Sequence, residues 1–161
     1  MQSKSDELKN IIFITLPPSA AERVTEFAID PTIEIPVQLP DGQTGLAGPE
    51  QISLELIVAG MLKILAWDST HPHRAYYRSF VLAAQPSAAE ELTIAAIAQE
   101  KKGNHHFSEE LFRTVCALEP ASAAFINLAT LYSTIAAQDK AKGEVYDEYQ
   151  QKALDTLKEG L

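Results

Sequence analysis

The chain has a single cysteine, Cys116, in 161 residues, so no internal disulfide can form and a disulfide-stapled fold is excluded. One lone thiol also suits a reducing compartment. Positive charge is scarce too: 13 Lys and Arg stand against 22 Asp and Glu, a formal net charge of −9. Nucleic acid and anionic membranes both require clustered Lys and Arg, so neither is an expected partner. Long apolar runs are missing. Ile11–Leu16 is too short for the core of a signal peptide, and the unbroken stretch Leu56–Leu62 falls far short of the roughly 20 residues that span a bilayer. A cytoplasmic location is the expectation. There is no HExxH, no paired CxxC and no phosphate loop; "GLAG" at 45–48 lacks both the lysine and the spacing of one.

What is present points to a packed helical chain. At 46% hydrophobic residues the sequence can build a core, and its length fits one domain with an appended segment. Seven of the nine prolines fall within residues 1–72, while Ala, Leu, Glu and Lys dominate from residue 50 onward. The break in composition predicts an N-terminal segment, 1–48, packed on a helical domain, 49–161. In the first, "IIFITL" reads as a short buried strand. "SAAERVTEFAI" reads as a helix opened by a capping box of Ser19 and Glu22, with Ala20, Val24, Phe27 and Ala28 on one face. "PTIEIPVQLP" alternates, with Ile33, Ile35, Val37 and Leu39 on one side, and its prolines confine it to a sheet edge or an extended run. "PDGQTGLAGP" at 40–49 is a loop by composition. Two short strands and a helix do not make a stable domain, so this segment must lie on the rest of the chain or on another copy.

From residue 49 the pattern is helical. "PEQISLELIVAGMLKILAW" carries apolar residues at helical spacing, interrupted by Glu50, Glu55 and Lys63, which marks a buried packing helix. Breaks at "DSTHPH", "AQPSAAE", "KKGNHH" and "LEPAS" separate the remaining helices, and short turns between helices make antiparallel pairs. Trp67, Tyr76, Tyr77 and Phe80 flank the "DSTHPH" turn as helix-pair core.

Residues 89–120, "AEELTIAAIAQEKKGNHHFSEELFRTVCALEP", resemble a tetratricopeptide repeat, a 34-residue helix–turn–helix unit, and Pro86 and Pro120 are one such interval apart. Leu92 stands at the first large apolar position and Ala96 at the small close-packing one. Gly103-Asn104 sits at the turn, Ser108 replaces the usual alanine of the second helix, and Phe112, Leu118 and Pro120 complete the unit. A less regular unit starts at "SAAFINLATLY" and ends in "QKAL", with "STIAAQDKAKGEV" about five residues too long between them. A degenerate one spans 55–86. The resemblance implies a mainly α fold, a right-handed superhelix of antiparallel helix pairs, with the small mixed α/β or extended segment 1–48 beside it.

It further implies protein or peptide binding in a groove lined by the first helix of each pair. The groove positions are Glu90, Thr93, Ile97, Glu100 and Lys101 in one unit, and Ala123, Ile126, Asn127 and Thr130 in the next. Only Asn127 matches the Lys/Asn clamp by which some relatives hold C-terminal carboxylates, so a mixed apolar and acidic groove favours an apolar or basic segment. "TIEIPVQLP" is one such ligand within the chain, in cis or from a second protomer, and self-association through 1–48 is a further expectation. The alternative reading is a metal-dependent enzyme or regulator built on His71, His73, His105 and His106 with nearby acids. The spacing would place His105 near Glu109 and His106 near Glu110 on a helix, but a zinc site needs three or four converging ligands. Cys116, among Phe112, Val115 and Leu118, reads as apolar filler without a base beside it. The expected class is therefore a non-catalytic interaction module without metal or cofactor.

Overall fold

A computed structural model describes residues 4–139 and 143–161. It is mainly helical, 64% among the described residues, with a small two-stranded antiparallel sheet near the N-terminus. Two compact units divide at Pro86, the second beginning at Ser87; the compositional break at residue 48 lies inside the first.

The first unit runs α1 (Lys4–Glu7), β1 (Ile11–Ile14), α2 (Pro18–Val24), β2 (Ile35–Gln38), a 3-10 turn at Pro49–Gln51, α3 (Leu54–Trp67) and α4 (Arg74–Ala84). β1 and β2 pair antiparallel, Ile11 opposite Gln38 and Ile14 opposite Ile35. The alternation of "IEIPVQL" has its expected consequence: Ile35, Val37 and Leu39 are buried, and β2 lies on α3. Pro36 is tolerated inside the strand because β2 has a single neighbour and needs no second ladder of N–H donors. Gly60 makes the approach possible. A Cβ at that position would fall within 2.6 Å of the Pro36 carbonyl carbon and closer still to its oxygen. The stripe read above as a possible groove ligand is thus a hydrogen-bonded strand in the core of its own unit.

Four local expectations are corrected. β1 is not a buried strand: its residues are partly exposed, and Phe13 is 41% exposed. The capping box does not form. Pro18 takes the first helical position with Pro17 as the cap, which places Ser19 inside α2, where it cannot cap. α2 also ends at Val24, before Phe27 and Ala28. Thr25 turns extended, and its hydroxyl accepts the Phe27 N–H at 3.1 Å, a local bond that competes with the helix. α3 begins at Leu54 instead of Pro49, because Ser53 caps it by accepting the Leu56 N–H.

At the turn between α3 and α4 the aromatic residues behave as core. Tyr77 and Phe80 are buried, and Trp67 and Tyr76 are half-buried. The Tyr77 hydroxyl donates to the Glu34 carbonyl at 2.7 Å, and Tyr76 accepts the Asp30 N–H at 3.0 Å, tying the segment before β2 to α4.

The second unit consists of α5 (Ala88–Lys101), α6 (His105–Leu118), α7 (Ser122–Gln138) and α8 (Glu144–Glu159). Each helix packs on the next. Gly103 turns the chain between α5 and α6 at φ 79°, a left-handed conformation that glycine adopts without strain. Ala96 and Ser108 are both fully buried where α5 meets α6, and the Ser108 hydroxyl donates to the Ala96 carbonyl at 2.9 Å. Around them Leu111, Phe112, Leu128, Ala129, Leu131, Tyr132 and Ala153 form one apolar cluster drawn from all four helices. α7 and α8 have 17 and 16 residues against 14 each in α5 and α6, and this takes up much of the extra length of "STIAAQDKAKGEV". Residues 140–142, in the "KAKGE" cluster, lie outside the described residues. The end of α8 is fastened to the start of α7, as Ser122 Oγ donates to the Gly160 carbonyl at 3.0 Å.

Candidate peptide-binding face

The residues expected to line a groove fall on two helices. Glu90, Thr93, Ile97, Glu100 and Lys101 lie on α5, and Ala123, Ile126, Asn127 and Thr130 on α7. Ile97 and Ile126 are 39% and 53% exposed. The Thr93 hydroxyl donates to the Ala89 carbonyl and that of Thr130 to the Ile126 carbonyl, so both are engaged within their own helices. Glu90 and Lys101 stand exposed, while Glu100 and Asn127 are half-buried. What these helices offer a ligand is aliphatic surface with acidic and basic groups beside it.

Two features escaped the sequence reading. Ile94, one helical turn before Ile97, is 63% exposed and extends the apolar surface of α5. The signal was its spacing of three from Ile97. The second is a cavity of about 310 Å³ where α7 starts and α8 ends, lined by Phe125, Ile126, Leu154, Leu157 and Leu161 among others. On α8, Leu154 and Leu157 are exposed beside the inward Ala153 and Thr156, so the helix is apolar on more than its core face, and Leu161 follows just beyond its end. Ile126 belongs to this cavity as well as to the groove positions.

Between α6 and α7 lies a buried polar cluster. Glu109 is 7% exposed and accepts the Tyr132 hydroxyl at 2.8 Å, with Arg113 Nη1 3.6 Å away. Burial, and then the nearby Glu109 charge, push the Tyr132 phenol well above its ordinary range, so it remains a neutral donor. The expected Glu109 neighbour was His105; instead the His105 Nε2 lies 3.0 Å from Gln138 Oε1. Removing the hydroxyl would deprive a buried carboxylate of a donor. Tyr132→Phe is expected to lower stability by about 2 kcal/mol in urea unfolding, and a loss under about 0.5 kcal/mol would contradict this role.

Burial pushes the Cys116 thiol up to about 11, so it is protonated at neutral pH. His71 Nδ1 accepts the His73 N–H at 3.2 Å, and the His71 ring stacks on Phe13. Among the described residues, no three His, Cys, Asp or Glu side chains are grouped to hold a metal ion. No described helix is long and apolar enough to cross a membrane. Compared with known proteins, the chain matches no family model, no curated protein and no solved structure.

Proposed function

We propose that the chain is a tetratricopeptide-like interaction module of the cytoplasm, non-catalytic, which binds a short apolar segment carrying basic residues along α5 and α7. The observation that carries this reading is the exposure of Ile94, Ile97 and Ile126 on the first helix of each pair, while the second helices turn Phe112, Val115 and Ala153 inward. Isolated exposed aliphatics are ordinary on a protein surface. Here they fall on the two helices that the repeat register assigns to the groove, with Glu90 and Glu100 alongside. The buried Ala96–Ser108 contact and the positive-φ Gly103 turn support the same register. An acidic and apolar face selects a ligand of complementary character, apolar for contact area and basic for steering.

The test uses the full chain and two pools of short synthetic peptides, one mixing Leu, Ile and Ala with Lys and Arg, the other replacing the bases by Asp and Glu. Fluorescence polarisation should show binding to the basic pool and at least tenfold weaker binding to the acidic one. The double substitution Ile97→Asn with Ile126→Asn, which removes the apolar contact without adding charge, should weaken the basic-pool interaction by about tenfold, or ~1.4 kcal/mol. Both sites are exposed, so stability should stay within about 0.5 kcal/mol of the parent. Equal binding of both pools, or an affinity untouched by the double substitution, contradicts the proposal.

A further inference from the structure

The turn between α3 and α4 gathers contacts from three other elements of the first unit. From α1, Lys4 Nζ pairs with Asp68 Oδ1 at 2.6 Å. Asp68 Oδ1 also accepts the Thr70 N–H and hydroxyl, at 3.3 and 3.1 Å, which rigidifies the start of the turn. From β1, the Phe13 ring lies almost parallel to that of His71, centroids 5.5 Å apart and 6° between planes. From α4, Tyr77 closes on the same imidazole at 5.2 Å. His71 therefore sits between β1 and α4, half-buried, with its Nδ1 taking the backbone N–H of His73.

That last bond fixes the protonation state. An imidazole nitrogen accepts a hydrogen bond only when it carries no proton, so Nδ1 is bare and Nε2 holds the hydrogen. A second proton would set an N–H on Nδ1 directly against the His73 N–H. The bond would be lost and two donors would face each other.

We infer that this turn is an acid-released latch: neutral His71 holds β1 and the α3–α4 turn together, and its protonation loosens the two-stranded sheet of β1 and β2. The charged and titratable groups around His71 are Asp68 and His73 of the turn, Lys4 of α1, Glu34 before β2 and Tyr77 of α4. Asp68 and Glu34 favour the imidazolium; burial first, then His73 and Lys4, oppose it, and the balance lowers the His71 pKa below its ordinary value. Tyr77 is pushed up to about 12, chiefly by burial, and stays neutral throughout. A cation stacked on Phe13 gains some attraction from the ring, but that gain does not restore the lost acceptor. The sign follows from linkage. A histidine whose folded pKa lies below its unfolded value of about 6.5 contributes stability that is fully present above that value and is lost as the pH falls from there through the folded pKa.

The experiment uses the full chain at about pH 7.5 and about pH 5, bracketing the histidine range while sparing most carboxylates. A proton NMR titration should place His71 below the unfolded-histidine value of about 6.5. Over the same range, amides of β1 and β2 should lose protection in hydrogen exchange, corrected for intrinsic rates, by about tenfold relative to those of α5–α8. His71→Asn keeps a side-chain acceptor for the His73 N–H and cannot take the proton, so its β1 and β2 amides should keep their relative protection at both pH values. His71 titrating at or above about 6.5, or an equal acid loss of protection in His71→Asn, overturns the latch. Because the NMR titration needs only the parent chain, a variant that fails to fold leaves that outcome decisive.

Discussion

Phe112→Ala is expected to lower the stability of the chain by about 3–5 kcal/mol in urea unfolding followed by circular dichroism. The size follows from where the ring lies. Phe112 is 2% exposed on α6, inside the cluster that joins all four helices of the second unit, and its neighbours include Leu111, Leu128 and Leu131. Truncation removes the transfer free energy of the ring and leaves a void that helices fixed on several sides cannot fully close. Ala96 makes the site less forgiving, since it has no longer side chain to swing into the space. Exposed Phe107, 47% exposed on the same helix, supplies the control: Phe107→Ala should stay within about 0.5 kcal/mol. Similar losses for both would mean that α6 does not face the other helices as described.

Gly60→Val carries the second large effect, about 3 kcal/mol at the upper end of the overpacking range. The milder Gly60→Ala distinguishes two opposing terms. Intrinsic propensity alone would make alanine better than glycine in a helix interior by about 1 kcal/mol. Against that, the new Cβ would meet backbone, 2.6 Å from the Pro36 carbonyl carbon, and a strand held by pairing with β1 cannot withdraw at little cost. The steric term wins, so even alanine should destabilise. The readout is the chain's one tryptophan, Trp67 at the end of α3, whose fluorescence reports on the first unit. A stabilising Gly60→Ala would show that β2 does not sit on α3.

The same residues show where sequence reading succeeds. Helices from α3 onward were legible because apolar residues recur at helical spacing and the breaks hold Pro, Gly or Asn, as at Pro86, Gly103-Asn104 and Pro120. The strand "IPVQ" was legible from its alternation. Local competition was not. The capping box at Ser19 lost to Pro18, which fits the first helical position, and the helix stopped where the Thr25 hydroxyl offered Phe27 a rival partner. The division of the chain followed packing more than composition: Gly60 admits β2 to α3, and nothing in the proline-rich character of residues 1–48 reveals which helix will receive them. Of the surface on the second unit, the positions on α5 and α7 came from repeat register. The cavity beside Ile126 did not, because Leu154 and Leu157 look like core in a helix whose core face is already filled by smaller residues, and Leu161 lies beyond that helix.

The measurement closest to the proposed function is amide chemical-shift mapping of the full chain during titration with the basic, apolar peptide pool. Shifts are expected to concentrate on α5 and α7, strongest around Ile94, Ile97 and Ile126, and to grow with peptide concentration until the face is filled. Shifts confined to the first unit, or to residues 157–161, or absent altogether, would contradict a groove formed by the first helices of the two pairs.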